Sequence, residues 1–333
     1  MLNFKPIIEN IKAARTVLIY THTNMDGDAA GSALAMCRVL RAMGKGAFIV
    51  MQDEYPGYLS FLKDNMGGMP YFLSEAPFEP DLALALDISQ QSRLEANEEA
   101  FFRAKHTACI DHHLTDEPIG DDYVVDPDAA ATAVLVYEMC KEAGFDLDKK
   151  AAECLYTGIV TDTGSFRYSN ADKRCLMTVA ELYDYEIDSA RICTLIFDEF
   201  PTQQLKLEAL ALERAVVIAG GMAVISWCEL RDLEEIGADI SMAETCIDAI
   251  RKIKGTEVAA FIKQKAEGVY KVSFRAKNDA NVNWIARELG GGGHEKASGA
   301  TLEGDLTFAK TQVTYALVAE CNRLIHERTV NNQ

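Results

Sequence analysis

Histidine and aspartate residues recur in this sequence where short apolar runs end. The first group, His22-Thr-Asn-Met-Asp26-Gly-Asp28, follows the apolar run Thr16–Tyr20. An imidazole and two carboxylates within one short loop suit a hard or borderline divalent ion such as Mn²⁺. The same residues also fit an Asx turn that leads into a helix, with Asp28 as the N-cap and His22 without a role. This group alone leaves both interpretations open.

Two further groups follow apolar runs in the same way. Asp87 ends the run Leu82–Leu86, and a carboxylate at the end of a buried strand needs a metal ion, a cap or another partner. The triplet Asp111-His112-His113 also follows a short apolar run. Adjacent histidines in a loop point in different directions, so one of them can bind an ion while the other faces a substrate.

A fourth group begins at Asp162, which follows an apolar helical run and precedes Arg167. Taken alone, Asp162 could simply lie in a turn that ends a helix, and Arg167 could be an ordinary charged residue on the surface. Coincidence is nevertheless a poor explanation for six metal-binding side chains at strand or helix ends: His22, Asp26, Asp28, Asp87, His112 and Asp162. Aspartates that converge on one cleft would repel each other, whereas two divalent ions would balance their charge. We therefore predict two bound divalent ions, with Mn²⁺ expected and Mg²⁺ or Co²⁺ as alternatives.

A glycine run marks a different kind of site in the second half of the chain. Four consecutive glycines, Gly290–Gly293, precede His294, whereas a helix C-cap requires a single glycine. Such a run lets backbone N–H groups approach a phosphate or a base closely, although a flexible linker is the alternative. The strand-like run Val272–Arg275 adds a guanidinium that can bind phosphate in a bidentate manner. The predicted substrate-binding residues are Arg275, Gly291, Gly292, Gly293 and His294.

The elements that must position these residues alternate along the first half of the chain. Strand-like runs are Thr16–Tyr20, Ala47–Gln52, Leu82–Asp87, Thr107–Asp111 and Tyr123–Val125. Helical patterns cover residues 31–43, 89–104, 130–143, 149–161 and 172–183. The alternation predicts an α/β fold with a parallel sheet and helices on both faces. Such sheets bind ligands at the carboxyl ends of their strands, which is where the histidines and aspartates lie.

The length of 333 residues corresponds to about two domains. We predict a metal-binding catalytic domain over residues 1–189 and a smaller α/β substrate-binding domain over residues 215–330. Residues 190–214 are mostly helical with a break at Pro201, and we predict a helical linker there.

The composition, with 49% hydrophobic and 25% charged residues, is that of a globular protein. No apolar run reaches the length of about 18 residues that a membrane span needs, and the N-terminus lacks a secretory signal pattern. The nine cysteines never form Cys-x-x-Cys, which argues against a disulfide framework and a zinc ribbon. We therefore expect a cytoplasmic protein that does not bind membranes.

The net charge of −18 is unevenly distributed, because residues 1–212 carry −16 of it. Within the second half, Arg251–Lys277 has a local charge of +6. An acidic region for cations and a basic segment for anions fit a metal-dependent enzyme that acts on phosphates. On charge alone, two solvated surfaces are the favoured explanation. The overall acidity argues against a long nucleic acid as partner.

The order of these motifs resembles the DHH phosphoesterase family. The shared pattern is His-x-x-x-Asp-x-Asp, a strand-ending Asp, Asp-His-His, a later Asp and Gly-Gly-Gly-Gly-His-x-x-Ala-Ser-Gly, and it covers essentially the whole chain. The similarity is to the two-domain branch with a DHH-associated C-terminal domain, the oligoribonuclease and 3′-phosphoadenosine 5′-phosphate (pAp) phosphatase type. Many members have Pro where this chain has Met25, a difference that removes no metal ligand.

The resemblance implies roles for individual residues. A first metal ion would have three ligands: His22, Asp26 and Asp87. A second ion would have four ligands, with Asp87 shared between the two ions: Asp28, Asp87, His112 and Asp162. His113 would face the scissile phosphate, and Arg167 would help to stabilise its charge. The other end of the substrate would be held by the second domain, through Arg275, Gly291–Gly293 and His294.

The resemblance also implies a reaction. The expected activity is metal-dependent hydrolysis of short oligoribonucleotides (nano-RNA) to nucleoside monophosphates, dephosphorylation of pAp to AMP, or both. A cyclic-di-AMP or linear pApA phosphodiesterase is the first alternative, because it shares nearly every motif. A pyrophosphatase and a non-catalytic nucleotide sensor are further alternatives. The expected partners are a short RNA or small nucleotide and a second copy of the chain in a homodimer.

Overall fold

A computed structural model of the protein describes residues 2–64, 71–293 and 295–331. The chain divides into two compact units, Met1–Glu199 and Phe200–Gln333. The division falls beside Pro201, between a helix over Ser189–Phe197 and a helix over Thr202–Glu213. The helical segment 190–214 therefore contributes one helix to each unit.

The first unit alternates strands and helices. Its described strands are β1 (Thr16–Tyr20), β2 (Gly46–Val50), β3 (Phe72–Leu73), β4 (Leu82–Leu86), β5 (His106–Asp111) and β6 (Asp122–Val125). Its described α-helices are α1 (Lys5–Ala13), α2 (Gly27–Ala42), α3 (Ser60–Asp64), α4 (Glu98–Phe102), α5 (Thr132–Ala143), α6 (Lys149–Asp162), α7 (Lys173–Leu182) and α8 (Ser189–Phe197).

The described strands of the first unit form one parallel sheet in the order β3-β2-β1-β4-β5-β6. Tyr20 at the end of β1 is in register with Val50 of β2 and Ala85 of β4. Leu86 of β4 is in register with Ile110 of β5. The loops that follow β1, β4 and β5 therefore leave the sheet side by side. This confirms the predicted parallel α/β fold and places the histidines and aspartates along one edge of the sheet.

Alternate residues of the central strand β1 are buried on opposite faces of the sheet. Val17 and Ile19 belong to the larger core, which includes the inner sides of α2, α5 and α6. Leu18 and Tyr20 belong to a smaller core together with Phe101 of α4. Both faces are thus covered, and this explains why the residues of β1 from Val17 to Tyr20 are all apolar and buried.

The predicted helix over residues 89–104 is wrong. The segment contains two 3₁₀ turns, Gln91–Arg93 and Glu95–Asn97, followed by the short helix α4. Glu95 has a φ of 46°, in the left-handed region that a right-handed helix does not include. Phe101 is fully buried all the same, so the apolar spacing indicated burial and not a continuous helix.

The second unit contains a mixed sheet. Its described strands are β7 (Val216–Ile218), β8 (Ala223–Cys228), β9 (Val258–Ala266), β10 (Val269–Ala276), β11 (Gly292–Gly293) and β12 (Ala297–Glu303). They are ordered β11-β12-β10-β9-β8-β7, and the pairs are antiparallel except for β8 with β9. The described α-helices are α9 (Thr202–Glu213), α10 (Leu230–Ile236), α11 (Cys246–Arg251), α12 (Val282–Glu288) and α13 (Leu306–Asn331).

Helices cover both faces of this second sheet. Ile285 of α12 and Leu317 of α13 are buried in one core, whereas Leu207 of α9 and Ile247 of α11 are buried in another. α13 is the longest helix of the described chain, with 26 residues. Neither α13 nor any other helix within the described residues is long and apolar enough to cross a membrane.

Candidate metal centre

Asp26 ends the loop after β1 and caps helix α2. Its Oδ1 accepts hydrogen bonds from the N–H groups of Asp28 (3.0 Å) and Ala29 (3.1 Å), and its Oδ2 lies 3.8 Å from His22 Nε2. The N-cap is therefore Asp26, and Asp28 lies in the first turn of the helix. The Asx-turn interpretation, which made Asp28 the cap, is wrong on this point. One oxygen of Asp26 caps the helix while the other faces the imidazole.

The N-terminus of helix α5 holds the buried carboxylate of Asp28. The N–H of Thr132 donates to Asp28 Oδ2 at 2.6 Å, and the N–H of Ala133 donates to Oδ1 at 2.9 Å. The hydroxyl of Thr132 also donates to Asp87 Oδ1 at 2.9 Å. Thr132 thus positions two acidic groups, yet the sequence motifs did not identify it. The available signal was its place at the start of a predicted helix, where N–H groups bind anions.

Helices α2 and α6 approach closely because glycines lie at their contact. A Cβ at Gly31 would lie 2.3 Å from the carbonyl oxygen of Cys154, and a Cβ at Gly158 would lie 2.8 Å from Asp28 Oδ1. No side chain fits at either position without a backbone shift. The close approach brings the start of α2 next to the end of α6, where Asp162 is the last helical residue.

Asp87 lies at the centre of the cluster. It follows β4 with a φ of 61° and is 1% exposed, and its Oδ2 has no hydrogen-bond partner among the described residues. His22 Nε2 lies 3.4 Å from that atom, while His112 Nε2 and His113 Nδ1 lie 3.6 Å and 3.5 Å from Oδ1. A buried carboxylate oxygen without a donor is costly, so this position requires a cation or a proton.

His112 joins Asp87 to the aspartates of α2 and α6. Its Nε2 lies 3.5 Å from Asp162 Oδ2 and 3.9 Å from Asp28 Oδ2, and its Nδ1 lies 3.2 Å from the carbonyl oxygen of Ala129. A ring nitrogen bonded to a carbonyl carries the proton, which leaves Nε2 as a ligand atom.

The donor atoms are spaced as ligands of shared ions. Three sets of donor atoms each lie within 4.8 Å of one another. Two of them match the predicted sites: His22, Asp26 and Asp87, and Asp28, His112 and Asp162. The third contains Asp87, Asp111, His112 and His113. Separations of 3.4 to 3.9 Å are longer than those of ordinary hydrogen bonds. Ligands at about 2.1 Å from one ion are roughly 3.0 to 3.4 Å apart, so a small contraction around an ion would complete each set. The residues therefore fit divalent cations.

His113 is oriented by Asp111 of the same triplet. Asp111 Oδ1 accepts hydrogen bonds from the backbone N–H of His113 at 3.0 Å and from its Nδ1 at 2.8 Å. Although burial favours the neutral ring, the hydrogen bond to Asp111 and the charge of Asp87 raise the pKa of His113 to about 9. The raised pKa favours the protonated imidazole, which is held beside the aspartate cluster.

Burial and the charges of neighbouring groups shift the pKa values of the clustered carboxylates. Burial and the charge of Asp87 raise the pKa of Asp28 well above its ordinary value. Burial likewise raises the pKa of Asp162 to about 7, against the lowering effect of His112. Burial also opposes ionisation of Asp87, but His22, His112 and His113 together outweigh it and lower its pKa. A bound cation would favour the charged form of every one of these carboxylates.

Arg167 lies in the turn that follows α6. Its Nε donates to the carbonyl oxygen of Gly164 at 2.6 Å, and the intervening Ser165 and Phe166 have φ values near 60°. This hydrogen bond holds the guanidinium of Arg167 against the turn to which the residue belongs. The predicted role of Arg167 at the phosphate stays a prediction.

In the second unit, the glycine run forms a tight hairpin with β12. Gly292 and Gly293 pair with Gly299 and Ser298, and a Cβ at Gly291 would lie 2.1 Å from the carbonyl oxygen of Gly299. Gly293 has a φ of 142°. Close strand packing therefore explains Gly291 and Gly293 without a ligand, whereas a Cβ at the exposed Gly292 would meet open space.

Arg275 lies on the other side of β12 from this glycine strand. It belongs to β10, where it is in register with Ala297 of β12, and its Nη1 donates to the carbonyl oxygen of Phe274 at 3.1 Å. The sheet thus brings Arg275 and the glycine strand to the same end of β12. The predicted contribution of His294 lies outside the described residues.

A parallel sheet whose carboxyl edge gathers imidazoles and carboxylates around shared positions is typical of a metal-dependent enzyme. Models of the DHH family, N-terminal domain, and of the DHHA1 domain match residues 16–159 and 222–327. The chain belongs to the DHH family of phosphoesterases, and the expected resemblance is confirmed.

Known proteins are similar to the chain over both units. The bifunctional oligoribonuclease and PAP phosphatase NrnA of Thermus thermophilus is 34% identical over 95% of this chain and 94% of its own length. The cyclic-di-AMP phosphodiesterase GdpP of Geobacillus thermodenitrificans is 26% identical over 96% of this chain but only 48% of its own. The crystal structure of an exopolyphosphatase-related protein from Bacteroides fragilis has the same fold, with a TM-score of 0.91, 23% identity and coverage of 97% of this chain and 98% of its own.

Proposed function

We propose that the protein hydrolyses short oligoribonucleotides (nano-RNA) to nucleoside monophosphates and dephosphorylates pAp to AMP. The observation that carries the proposal is the position of Asp87, whose two oxygens face His22 on one side and His112 on the other. A carboxylate in that position can serve two ions at once. The similarity to an oligoribonuclease and PAP phosphatase over both units supports these substrates.

Two divalent ions, Mn²⁺ in the first place, would occupy the centre. One would be held by His22, Asp26 and Asp87, and the other by Asp28, Asp87, His112 and Asp162. Imidazole together with carboxylate oxygens is a donor set that Mn²⁺ accepts. Ions bound in such a pair neutralise charge on the phosphoryl group and make water a nucleophile near neutral pH.

The protein's own residues would orient the phosphate and supply protons. His113 is held in place by its hydrogen bonds to Asp111, so its protonated imidazole could donate a hydrogen bond to a phosphoryl oxygen or a proton to the leaving group. Arg167 would add a second positive charge after leaving the carbonyl of Gly164. Thr132 would keep Asp28 and Asp87 in place through the bonds that it already makes.

The second unit would bind the rest of the nucleotide. We assign this role to Arg275, to the backbone of Gly291–Gly293 and to His294. The guanidinium would bind phosphate, and the open space over Gly292 would allow a ligand to approach the backbone. The family resemblance also implies a homodimer, which light scattering of the purified protein would test.

The test is a substrate panel assayed with the full-length protein and Mn²⁺. The panel contains pAp, two- to five-nucleotide RNA, pApA, cyclic di-AMP and pyrophosphate. We expect nucleoside monophosphates from the short RNAs and AMP from pAp, with slower turnover of cyclic di-AMP. Asp162→Asn should abolish turnover, whereas Asp116→Asn, an exposed carboxylate a few residues after the Asp-His-His triplet, should not change it.

Other outcomes would contradict the proposal. Preferred turnover of cyclic di-AMP would assign the protein to the activity named for the GdpP relative. Preferred turnover of pyrophosphate would exclude a nuclease. Tight nucleotide binding without turnover at any Mn²⁺, Mg²⁺ or Co²⁺ concentration would indicate a sensor.

A further inference from the structure

A polar cleft of about 480 Å³ lies next to the metal centre within the first unit. It begins at Thr23, which follows His22 directly and whose carbonyl oxygen lies 2.7 Å from His22 Nδ1. The 3₁₀ turn Glu95–Asn97 forms another part of its lining. The lining of the cleft therefore begins one residue from a proposed metal ligand.

Two side-chain amides in the lining of the cleft have unused donors. Asn97 is 7% exposed, and its Nδ2 has no hydrogen-bond partner among the described residues. Gln52 Nε2 also has none within the described chain. The Oε1 of Gln52 accepts the N–H of Ala96 at 3.1 Å, which establishes that the unpaired end is the NH₂ group. Leaving buried donors unpaired is unfavourable, so an acceptor supplied by a ligand would stabilise both amides.

Two exposed carboxylates in the lining of the cleft supply acceptors. Asp53 accepts a hydrogen bond from the backbone N–H of Asn24, and Glu95 Oε1 accepts one from the hydroxyl of Thr23 at 3.0 Å. Both carboxylates are exposed, and each has a second oxygen. None of the described residues that line the cleft is Lys or Arg. The lining therefore disfavours a phosphate and favours an uncharged group that both donates and accepts hydrogen bonds.

We propose that this cleft binds the ribose hydroxyls of the nucleoside next to the scissile phosphate. A hydroxyl can donate to Asp53 or Glu95 and accept from the NH₂ group of Gln52 or Asn97. Carboxylates bind ribose hydroxyls in the same way in dinucleotide sites, and the 2′-hydroxyl is the group that separates RNA from DNA. The inference rests on the proposed function and adds its sugar specificity. It makes the first unit, which holds the metal centre, the source of selectivity for RNA.

The test compares a ribodinucleotide with the matching 2′-deoxydinucleotide, assayed with Mn²⁺ and the full-length protein. We expect the wild type to prefer the ribodinucleotide at least about tenfold in kcat/KM, as loss of a hydrogen bond to a charged group implies. The double variant Asp53→Asn/Glu95→Gln should lower kcat/KM for the ribodinucleotide about fivefold and leave that for the deoxy substrate unchanged. Glu54→Gln, an exposed carboxylate beside Asp53, is the matched control and should change neither value.

The outcomes separate this inference from the proposed function. Equal losses on both substrates, or no loss on either, would overturn the ribose assignment while the hydrolase activity stands. A wild type that hydrolyses neither substrate would contradict the proposed function. In that case, NMR titration with adenosine and 2′-deoxyadenosine in the presence of Mg²⁺ still tests the cleft. Binding of adenosine that is weakened in the double variant supports the assignment, and equal binding of the two nucleosides contradicts it.

Discussion

Gly158 of α6 lies directly against Asp28 of α2. A Cβ at Gly158 would lie 2.8 Å from Asp28 Oδ1 and 2.9 Å from the Cβ of Ala133. The missing side chain therefore leaves the space that the carboxylate uses to reach the N-terminus of α5, where Thr132 and Ala133 donate to it. Helix packing and the position of a proposed metal ligand thus depend on the same glycine.

Gly158→Ala is expected to damage the metal centre more than the fold. The added methyl group must displace Asp28 or separate the helices, and overpacking of this kind costs about 1–3 kcal/mol. Titration calorimetry with Mn²⁺ should show a large loss of affinity, while circular dichroism should show a folded protein with a lower Tm. Gly57→Ala, where a Cβ would meet open space, is the control. Wild-type Mn²⁺ affinity in the Gly158 variant would show that Asp28 does not depend on this contact.

Thr132→Val is expected to weaken the centre by removing one hydroxyl. The backbone N–H to Asp28 remains, but the 2.9 Å bond to Asp87 is lost. Hydrogen bonds to charged groups contribute about 1.5–3 kcal/mol, so kcat/KM on pAp should fall roughly tenfold or more. Thr132→Ser keeps the hydroxyl and should retain most of the activity. Equal losses in both variants would mean that packing of the methyl group, and not the hydrogen bond, is responsible.

Asp87→Ala is expected to be the most damaging change at a single proposed ligand. Asp87 faces His22 and His112 at once, so its loss affects both ions. Activity should fall to background while the fold persists, and calorimetry should show that both Mn²⁺ sites are weakened. Asp26→Ala should affect one ion more than the other, because Asp26 lies in one donor set. If Asp87→Ala binds two ions with wild-type affinity, the bridging assignment is wrong.

The stability of the metal-free protein is expected to fall as the pH rises from about 5 to 8. The folded-state pKa of Asp162 is raised to about 7, whereas an unfolded aspartate titrates near about 3.9. Between these two pKa values, folded Asp162 therefore holds a proton that the unfolded aspartate has lost. The stability linked to this proton is lost as the pH rises through 7. Mn²⁺ should raise Tm more at pH 8 than at pH 5, because binding requires the charged carboxylates.

Asp162→Asn provides the control for this pH dependence. The amide does not titrate, so thermal melts of the metal-free variant should show a shallower fall of Tm between pH 5 and 8 than those of the wild type. If Tm falls equally with pH in the two proteins, Asp162 is not the source of the pH dependence.

Substrate length and salt are expected to show that the protein recognises strand ends. If Arg275, the glycine strand and the metal centre contact two or three phosphates, log K should fall with log salt at a slope of about −1.4 to −2.1 for single strands. Arg275→Ala should raise KM without changing Mn²⁺ affinity, and Lys265→Ala, an exposed residue of the same basic segment, should change neither. Rapid degradation of an RNA of about 24 nucleotides with a steep salt slope would instead show an extended RNA-binding track.

The sequence by itself determined the sheet and the identity of the clustered groups. Buried strands such as Leu82–Leu86 are apolar at every position, and polar side chains appear where the strands end. Because parallel strands present their carboxyl ends at one edge, His22, Asp87 and His112 had to lie near each other. The order of the motifs was sufficient to identify the family before any distance was known.

Tertiary structure decided the features that depend on contacts between distant segments. The bonds from Thr132 to Asp28 and Asp87 span 104 and 45 positions of the chain. The place of Thr132 at the start of a predicted helix indicates that it can bind an anion, but not which carboxylates it binds. The apolar spacing of residues 89–104 is compatible with a helix, but the chain turns at Glu95, and Asn97 lines a cleft beside the centre. Residue type and periodicity report burial and chemistry along the chain. Packing between distant segments decides which buried groups become partners, and the local sequence does not encode that packing.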